Sequence, residues 1–342
     1  MVNAFLVRSA LALMVATSAM TVLTAWASDA PTAGFKDGFK RPADIPFPAD
    51  NLYTPEKAAL GKALFFDPRL SGNQNMTCAT CHNPSFGWEV SVKTPIGAQN
   101  TALGRQAPTV LDQAWVHPQF WDGRAASLEE QAKGPIQAPA EMNLKLDEAV
   151  RRISGVADYA AWFKKVFPDK GVTGDTIAMA IATYERTVVA SYAPFDDWLD
   201  GDETAISDSA KRGFALFNGK AQCAGCHTGW NFTDNKFHDI GISKGDDIGR
   251  GKLEPDNAKA QFAFKTPSLR DIGQRAPYMH DGSLATLDDV MQHYLATPVK
   301  RPSISDKLAN IDLTPDEAGD VVAFLKTLTG SRQVVALPVL PN

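Results

Sequence analysis

The amino-acid sequence predicts a mainly α chain of two tandem units with long loops and little β structure, and three observations predict it. A five-residue word occurs twice, as Cys78-Ala79-Thr80-Cys81-His82 and as Cys223-Ala224-Gly225-Cys226-His227. A similar stretch precedes each copy, Leu60-Gly61-Lys62-Ala63-Leu64-Phe65-Phe66 before the first and Arg212-Gly213-Phe214-Ala215-Leu216-Phe217 before the second, so the chain carries an internal repeat. Between the two words, apolar residues recur every three and four positions, the period of amphipathic helices.

The repeated word is C-x-x-C-H, the attachment signature of a c-type haem. Two thiols three residues apart lie on one side of a helical turn and reach the two vinyl groups of one porphyrin, which leaves the following histidine under the iron. Two words imply two covalently bound haem c groups and two tandem cytochrome c-type haem domains, packed face to face. The competing reading is a structural zinc site of two C-x-x-C knuckles. Such knuckles lie within a few tens of residues of each other, whereas here the middle of the chain separates them and a histidine follows each pair. All 4 cysteines belong to the two words, so none is left for a disulfide, and a domain of this size needs none.

The elements follow in chain order. Residues 1–27 read as a secretory signal peptide: Arg8, an apolar run from Ala10 to Trp26, and small residues at Ala25 and Ala27. The run is short and rich in small residues, which separates it from a membrane anchor. Export agrees with the haem words, because covalent haem c is attached outside the cytoplasm. The chain is therefore expected to be periplasmic, with no membrane span after signal cleavage. Residues 28–205 are expected to form the N-terminal cytochrome c domain and 206–342 the C-terminal one. In the first, Pro55 to Phe66 reads as a helix ending before Asp67-Pro68, the haem word follows, and Asn83 to Pro108 is loop. Leu146 to Phe167 and Thr173 to Ser191 read as two amphipathic helices. The acidic stretch Asp200 to Ser207 links the halves, and Ser209 to Phe217 is the short helix before the second haem word. The formal net charge is -5 with no block of Lys or Arg, which argues against a nucleic-acid partner and suits a small, basic electron-donor protein.

Further words carry a resemblance. Leu64-Phe65-Phe66-Asp67-Pro68-Arg69-Leu70, Phe120-Trp121-Asp122-Gly123-Arg124-Ala125, Leu128-Glu129-Glu130-Gln131-Ala132, Thr266-Pro267-Ser268-Leu269-Arg270 and Pro277-Tyr278-Met279-His280-Asp281-Gly282 stand in order around the haem words. From about Leu60 to Gly330 the chain resembles the bacterial dihaem cytochrome c peroxidase / MauG family. The resemblance implies a cytochrome-c-peroxidase-type oxidoreductase with a peroxidatic N-terminal haem and an electron-transfer C-terminal haem.

A haem that reduces peroxide needs a vacant coordination position. Many members of the family close the first haem with a histidine from the loop after its C-x-x-C-H. No histidine occurs here from Asn83 to Val116, and His117, beside Pro118, reads as a surface or packing residue. The first haem, held by His82, is accordingly expected to be open. The resemblance places Glu141 over it as acid and base for peroxide, with Gln131 and Pro135 on the same wall. The second haem, held by His227, is expected to be closed by Tyr294, where electron-transferring members place a methionine and MauG a tyrosine. Met279, Met291, His280 and His293 are the competing ligands, His280 also as a hydrogen-bond partner of a haem propionate. Trp121 is the expected relay between the haems, Arg124 and Arg270 are expected to neutralise propionates, and Gln106, Arg275 and Pro277 match the family's calcium positions.

One departure bears on the choice of function. MauG, which matures the tryptophan-derived cofactor of methylamine dehydrogenase, has a tryptophan two residues before the second haem word, and here that residue is Ala221; Trp230 lies nearby. The leading expectation is a periplasmic peroxidase reducing hydrogen peroxide to water with electrons from a small cytochrome c or cupredoxin, its second haem storing oxidising equivalents. The alternatives are a MauG-like enzyme that uses peroxide to oxidise a side chain of a partner protein, and a non-enzymatic dihaem electron carrier.

Overall fold

Helix α1 (Pro55–Phe65) begins where the Thr54 hydroxyl accepts the Lys57 N–H and Pro55 takes the first helical position, and it ends just before Asp67-Pro68. The coordinates are a computed structural model that describes residue 1 and residues 36–296, 299–308 and 311–342. Apart from Met1, the signal-peptide reading falls outside the described residues. The short helix α2 (Cys78–Cys81) carries the first pair of thiols. It is followed by α3 (Leu128–Gln137), α4 (Leu146–Ser154), α5 (Ala157–Val166), α6 (Gly174–Arg186) and α7 (Pro194–Leu199), then α8 (Asp208–Asn218), α9 (Leu287–Leu295) and α10 (Pro315–Thr327). A single antiparallel ribbon, β1 (Phe237–His238) with β2 (Phe264–Lys265), is the only named sheet among the described residues. The fold is mainly helical, as the sequence predicts.

The internal repeat is a repeat of a helix pair. α1 lies on α6 and α8 lies on α10, and in each pair a glycine of the repeated word lets the backbones meet. A Cβ at Gly61 would fall on the Ala180 carbonyl oxygen, and one at Gly213 on the Asp320 carbonyl oxygen. Around these pairs form two cores, one built on Leu60, Leu64, Phe65, Phe163 and Ile181, the other on Phe195, Phe214, Phe217, Phe232 and Phe324. Each such side chain, removed from water, contributes about 1.5–3 kcal/mol. The ends of the chain cross over: Phe39 joins the second core, while Val335 and Leu340 sit against the first.

Two helices differ from expectation. The predicted helix from Leu146 to Phe167 is broken at Gly155 and Val156 into α4 and α5. The one predicted from Thr173 to Ser191 stops at Arg186, because buried Asp112 draws the next residues away: its N–H donates to the Val188 carbonyl at 2.9 Å and its carboxylate accepts the Ala190 N–H at 3.0 Å.

The repeat also extends beyond the words that reveal it. The segments before α3 and α9 share a cis peptide at His117-Pro118 and Ala276-Pro277, left-handed Phe120 and Met279, and left-handed Gly123 and Gly282. Both close the same antiparallel bridge, Gln119 to Ala125 and Tyr278 to Leu284. Ser127 and Thr286 then cap α3 and α9. Along this register Trp121 answers to His280, and Pro135 answers to Tyr294.

Candidate haem sites

α2 is held by reciprocal bonds between Thr77 and Thr80, and the His82 N–H returns to the Cys78 carbonyl at 2.9 Å. Cys78, Cys81 and His82 therefore line one side of a slot. Facing them are Gln131 and Pro135 of α3 and Glu141 from the turn that follows. That turn is clamped: the Glu141 N–H donates to the Ala138 carbonyl at 3.0 Å and the Ala98 N–H donates to the Glu141 carbonyl at 2.8 Å. Burial raises the Glu141 carboxyl above its ordinary value against the pull of the Arg124 charge. Burial lowers the His82 imidazole, which keeps it neutral and able to bind a metal, and raises the Cys81 thiol to about 11. His82 is the only histidine on the wall of this slot, and His117 is exposed.

The slot holds a residue that sequence reasoning missed. Glu185 of α6 lines it, buried, and its Oε2 has no hydrogen-bond partner. Burial, with Glu129 nearby, raises its carboxyl to about 8 although the Arg186 charge opposes this. Its sequence context, Thr183-Tyr184-Glu185-Arg186, looks like the polar end of a helix, and only the tertiary structure buries it.

In the second slot, His227 Nδ1 lies 2.8 Å from the Phe232 carbonyl, which leaves Nε2 free to face a metal. Cys223, Cys226 and His227 share this slot with Tyr294 of α9. Burial raises the Tyr294 phenol, and the nearby Cys223 and Cys226 sulfurs raise it further. Of the competing ligands, His293 is turned to the Ile240 carbonyl at 2.9 Å. Met279, Met291 and His280 do line the slot, and the His280 ring stacks on Phe264 with centroids 3.5 Å apart. His238 is a second missed residue on this wall, bonded to Asp234 at 2.9 Å and to Ser305 at 3.0 Å. The helix register makes the two slots asymmetric, because Pro135 and Tyr294 occupy equivalent places on α3 and α9. At that place α3 carries a proline ring and α9 a phenol.

Trp121 lines the second slot and donates its indole N–H to the Gln106 carbonyl at 2.8 Å. Arg124 bonds to Asp122 at 3.0 Å and lies 3.5 Å over the Phe120 ring. Arg270 lines neither slot: it is fully buried, donating to Asp196 at 2.7 Å, the Trp230 carbonyl at 2.8 Å and the Phe39 carbonyl at 3.3 Å. It secures the lead-in and α7 to the second core. The Gln106 side-chain oxygen accepts the Ala107 N–H at 3.0 Å, so its NH2 faces the Val90 and Pro277 carbonyls at 3.1 and 3.4 Å, and Arg275 pairs with buried Glu89 at 2.9 Å.

The donor sets of both slots fit covalent haem c, with two thiols and a neutral histidine on one face and a largely apolar wall opposite. The metal-ligand cluster Cys226, Asp234 and His238 shares a haem-attaching sulfur and belongs to the second slot. Family models match the chain over residues 55–204, as di-haem cytochrome c peroxidase, and over 210–329, as cytochrome c. The chain is 49% identical over 326 residues to the methylamine utilization protein MauG of Methylorubrum extorquens, spanning 95% of this chain and 92% of that protein. It is 43% identical over 332 residues to MauG of Methylophilus methylotrophus, spanning 96% and 98%. A crystal structure of a MauG-like protein associated with microbial copper homeostasis is similar with a TM-score of 0.76 at 30% identity, over 85% of this chain and 95% of that one.

Proposed function

The chain belongs to the di-haem cytochrome c peroxidase family, and on that premise we propose that it is a periplasmic enzyme of the MauG type, using hydrogen peroxide to oxidise a side chain of a partner protein. Peroxide takes up two electrons and two protons to become two waters, and in this reading the partner's side chain supplies both electrons. Tyr294 carries the reading: a phenol lines the second slot beside Cys223 and Cys226, and a hard oxygen donor favours the oxidised forms of iron over the reduced one. The near-full-length identity to two MauG proteins supports it. This puts the protein-modifying alternative ahead of the plain peroxidase.

Cys78 and Cys81 with His82, and Cys223 and Cys226 with His227, would hold the two haems. Bound there, the haems supply peroxide activation and the storage of oxidising equivalents. Glu141 takes a proton from the near oxygen of peroxide and returns it to the departing one, a task suited to a carboxyl raised toward neutrality. Gln131 and Pro135 complete the wall beside Met76 and Met142, and in this reading none of them closes the first haem, which keeps it free for peroxide. Trp121, oriented by the Gln106 carbonyl, serves as the relay between the slots.

The plain peroxidase reading keeps one observation in its favour. Ala221 is fully buried and offers no aromatic exit toward a partner. A half-buried pair, Trp115 and Trp230 with ring centroids 4.8 Å apart, supplies another route. Mass spectrometry of exported proteins encoded beside this chain, incubated with holoenzyme and peroxide, decides between them. A peroxide-dependent mass change in one of these proteins is expected. Fast peroxide turnover with a cytochrome c or cupredoxin, and no mass change, would return the reading to a peroxidase. Paramagnetic resonance of the oxidised protein tests the open slot: one high-spin and one low-spin signal are expected, whereas two low-spin signals would fit an electron carrier.

A further inference from the structure

Lys265 stands out among the charged residues of the second slot. It lies on β2, buried at 8% exposure, with its Nζ donating to the Pro118 carbonyl at 2.7 Å and its backbone N–H to the Trp121 carbonyl at 2.8 Å. The other cationic side chains on the wall have carboxylate partners: Arg275 has Glu89 at 2.9 Å, His238 has Asp234 at 2.9 Å, and Lys307 has Asp234 at 3.4 Å. Lys265 has none among the described residues. An ammonium taken out of water with one neutral acceptor is costly unless an anion joins it, and burial alone lowers this one to about 7. The same slot is built to receive a group that carries two carboxylates, and Arg270, the expected cation, is committed elsewhere.

We propose that Lys265 is the buried counter-charge of a haem propionate in the second slot, and that this pairing sets the potential of the C-terminal haem beside Trp121. The inference rests on the reading that the second slot holds a haem, and not on the identity of the substrate. The side chain is fixed at both ends: its backbone sits opposite Phe237 in the ribbon, and the Pro118 carbonyl anchors the ammonium. A fixed positive charge beside a redox group stabilises the electron it accepts.

Redox titration of holoprotein, wild type against Lys265→Met and Lys265→Arg, tests this. Lys265→Met is expected to shift the C-terminal haem's midpoint potential downward and leave the N-terminal one in place, with Lys265→Arg close to wild type. An unmoved C-terminal potential in Lys265→Met carrying both haems overturns the assignment. A haem count by pyridine haemochrome separates the two failures, since a wild-type protein with one haem defeats the cofactor reading itself. Should Lys265→Met not fold, a crystal structure of the wild-type holoprotein decides. Nζ within hydrogen-bond distance of a propionate supports the pairing, and Nζ touching only the Pro118 carbonyl or water overturns it.

Discussion

Glu141 and Glu185 face the first slot from different elements, the turn after α3 and α6 respectively, and burial raises both carboxyls. Glu141→Gln removes the proton carrier while keeping shape, so the rate of the peroxide-induced spectral change should fall about 10²–10⁴-fold at unchanged haem content, measured by stopped flow. In the wild type that rate should rise with pH through a midpoint above the ordinary glutamate value of 4.5, since the free carboxylate is the base. Glu185 makes a different prediction. Its folded-state value of about 8 exceeds 4.5, so the folded state binds the proton more tightly. Stability is then undiminished below pH 4.5, falls as pH rises between 4.5 and about 8, and is flat beyond. Glu185→Gln should remove that slope in denaturant titrations run across this range. Of the two residues only Glu141 was legible in the sequence, through the family resemblance, whereas burial at Glu185 comes from distant segments.

The helix pairs carry the internal repeat. Gly213 lets α8 approach α10, and alanine there would gain about 1 kcal/mol of helix propensity but force the Asp320 carbonyl aside. Overpacking of this kind costs about 1–3 kcal/mol, so Gly213→Ala should lower the Tm of the holoprotein, and calorimetry would measure it. α3 and α9 give the sharper case. Pro135→Tyr puts on α3 the residue that its partner helix carries at Tyr294, and it restores a backbone N–H. The high-spin resonance should convert to low-spin and peroxide reactivity should be lost. A persisting high-spin signal would show that helix register does not decide ligation. The capping signatures of both helices, Ser127 with Glu130 and Thr286 with Asp289, were present in the sequence. The equivalence of Pro135 and Tyr294 was not, since it depends on matching backbone turns with little residue identity.

Over the whole molecule, the described residues from 36 onward belong to one compact unit, and Arg270 ties its parts together. It bonds Asp196 of α7, which also holds Arg41 at 3.1 Å, and it reaches the Phe39 and Trp230 carbonyls. Without Arg270, buried Asp196 keeps only Arg41 and two carbonyls lose a charged donor, at about 1.5–3 kcal/mol for each hydrogen bond to a charged group. Arg270→Met should therefore unfold at lower denaturant and expose the lead-in around Phe39 to limited proteolysis, with the haem spectra unaltered under native conditions. No helix among the described residues is long and apolar enough to cross a membrane.

Local words sufficed for the haem attachment, the helical class and the doubled plan, because two thiols and a histidine in consecutive turns need no distant partner to declare their chemistry. The surroundings of Arg270, Gln106, Glu185 and Lys265 were decided only in three dimensions. For a charged or amide side chain, function depends on which atoms surround it and how much water is excluded, and those neighbours come from segments that the chain brings together only on folding.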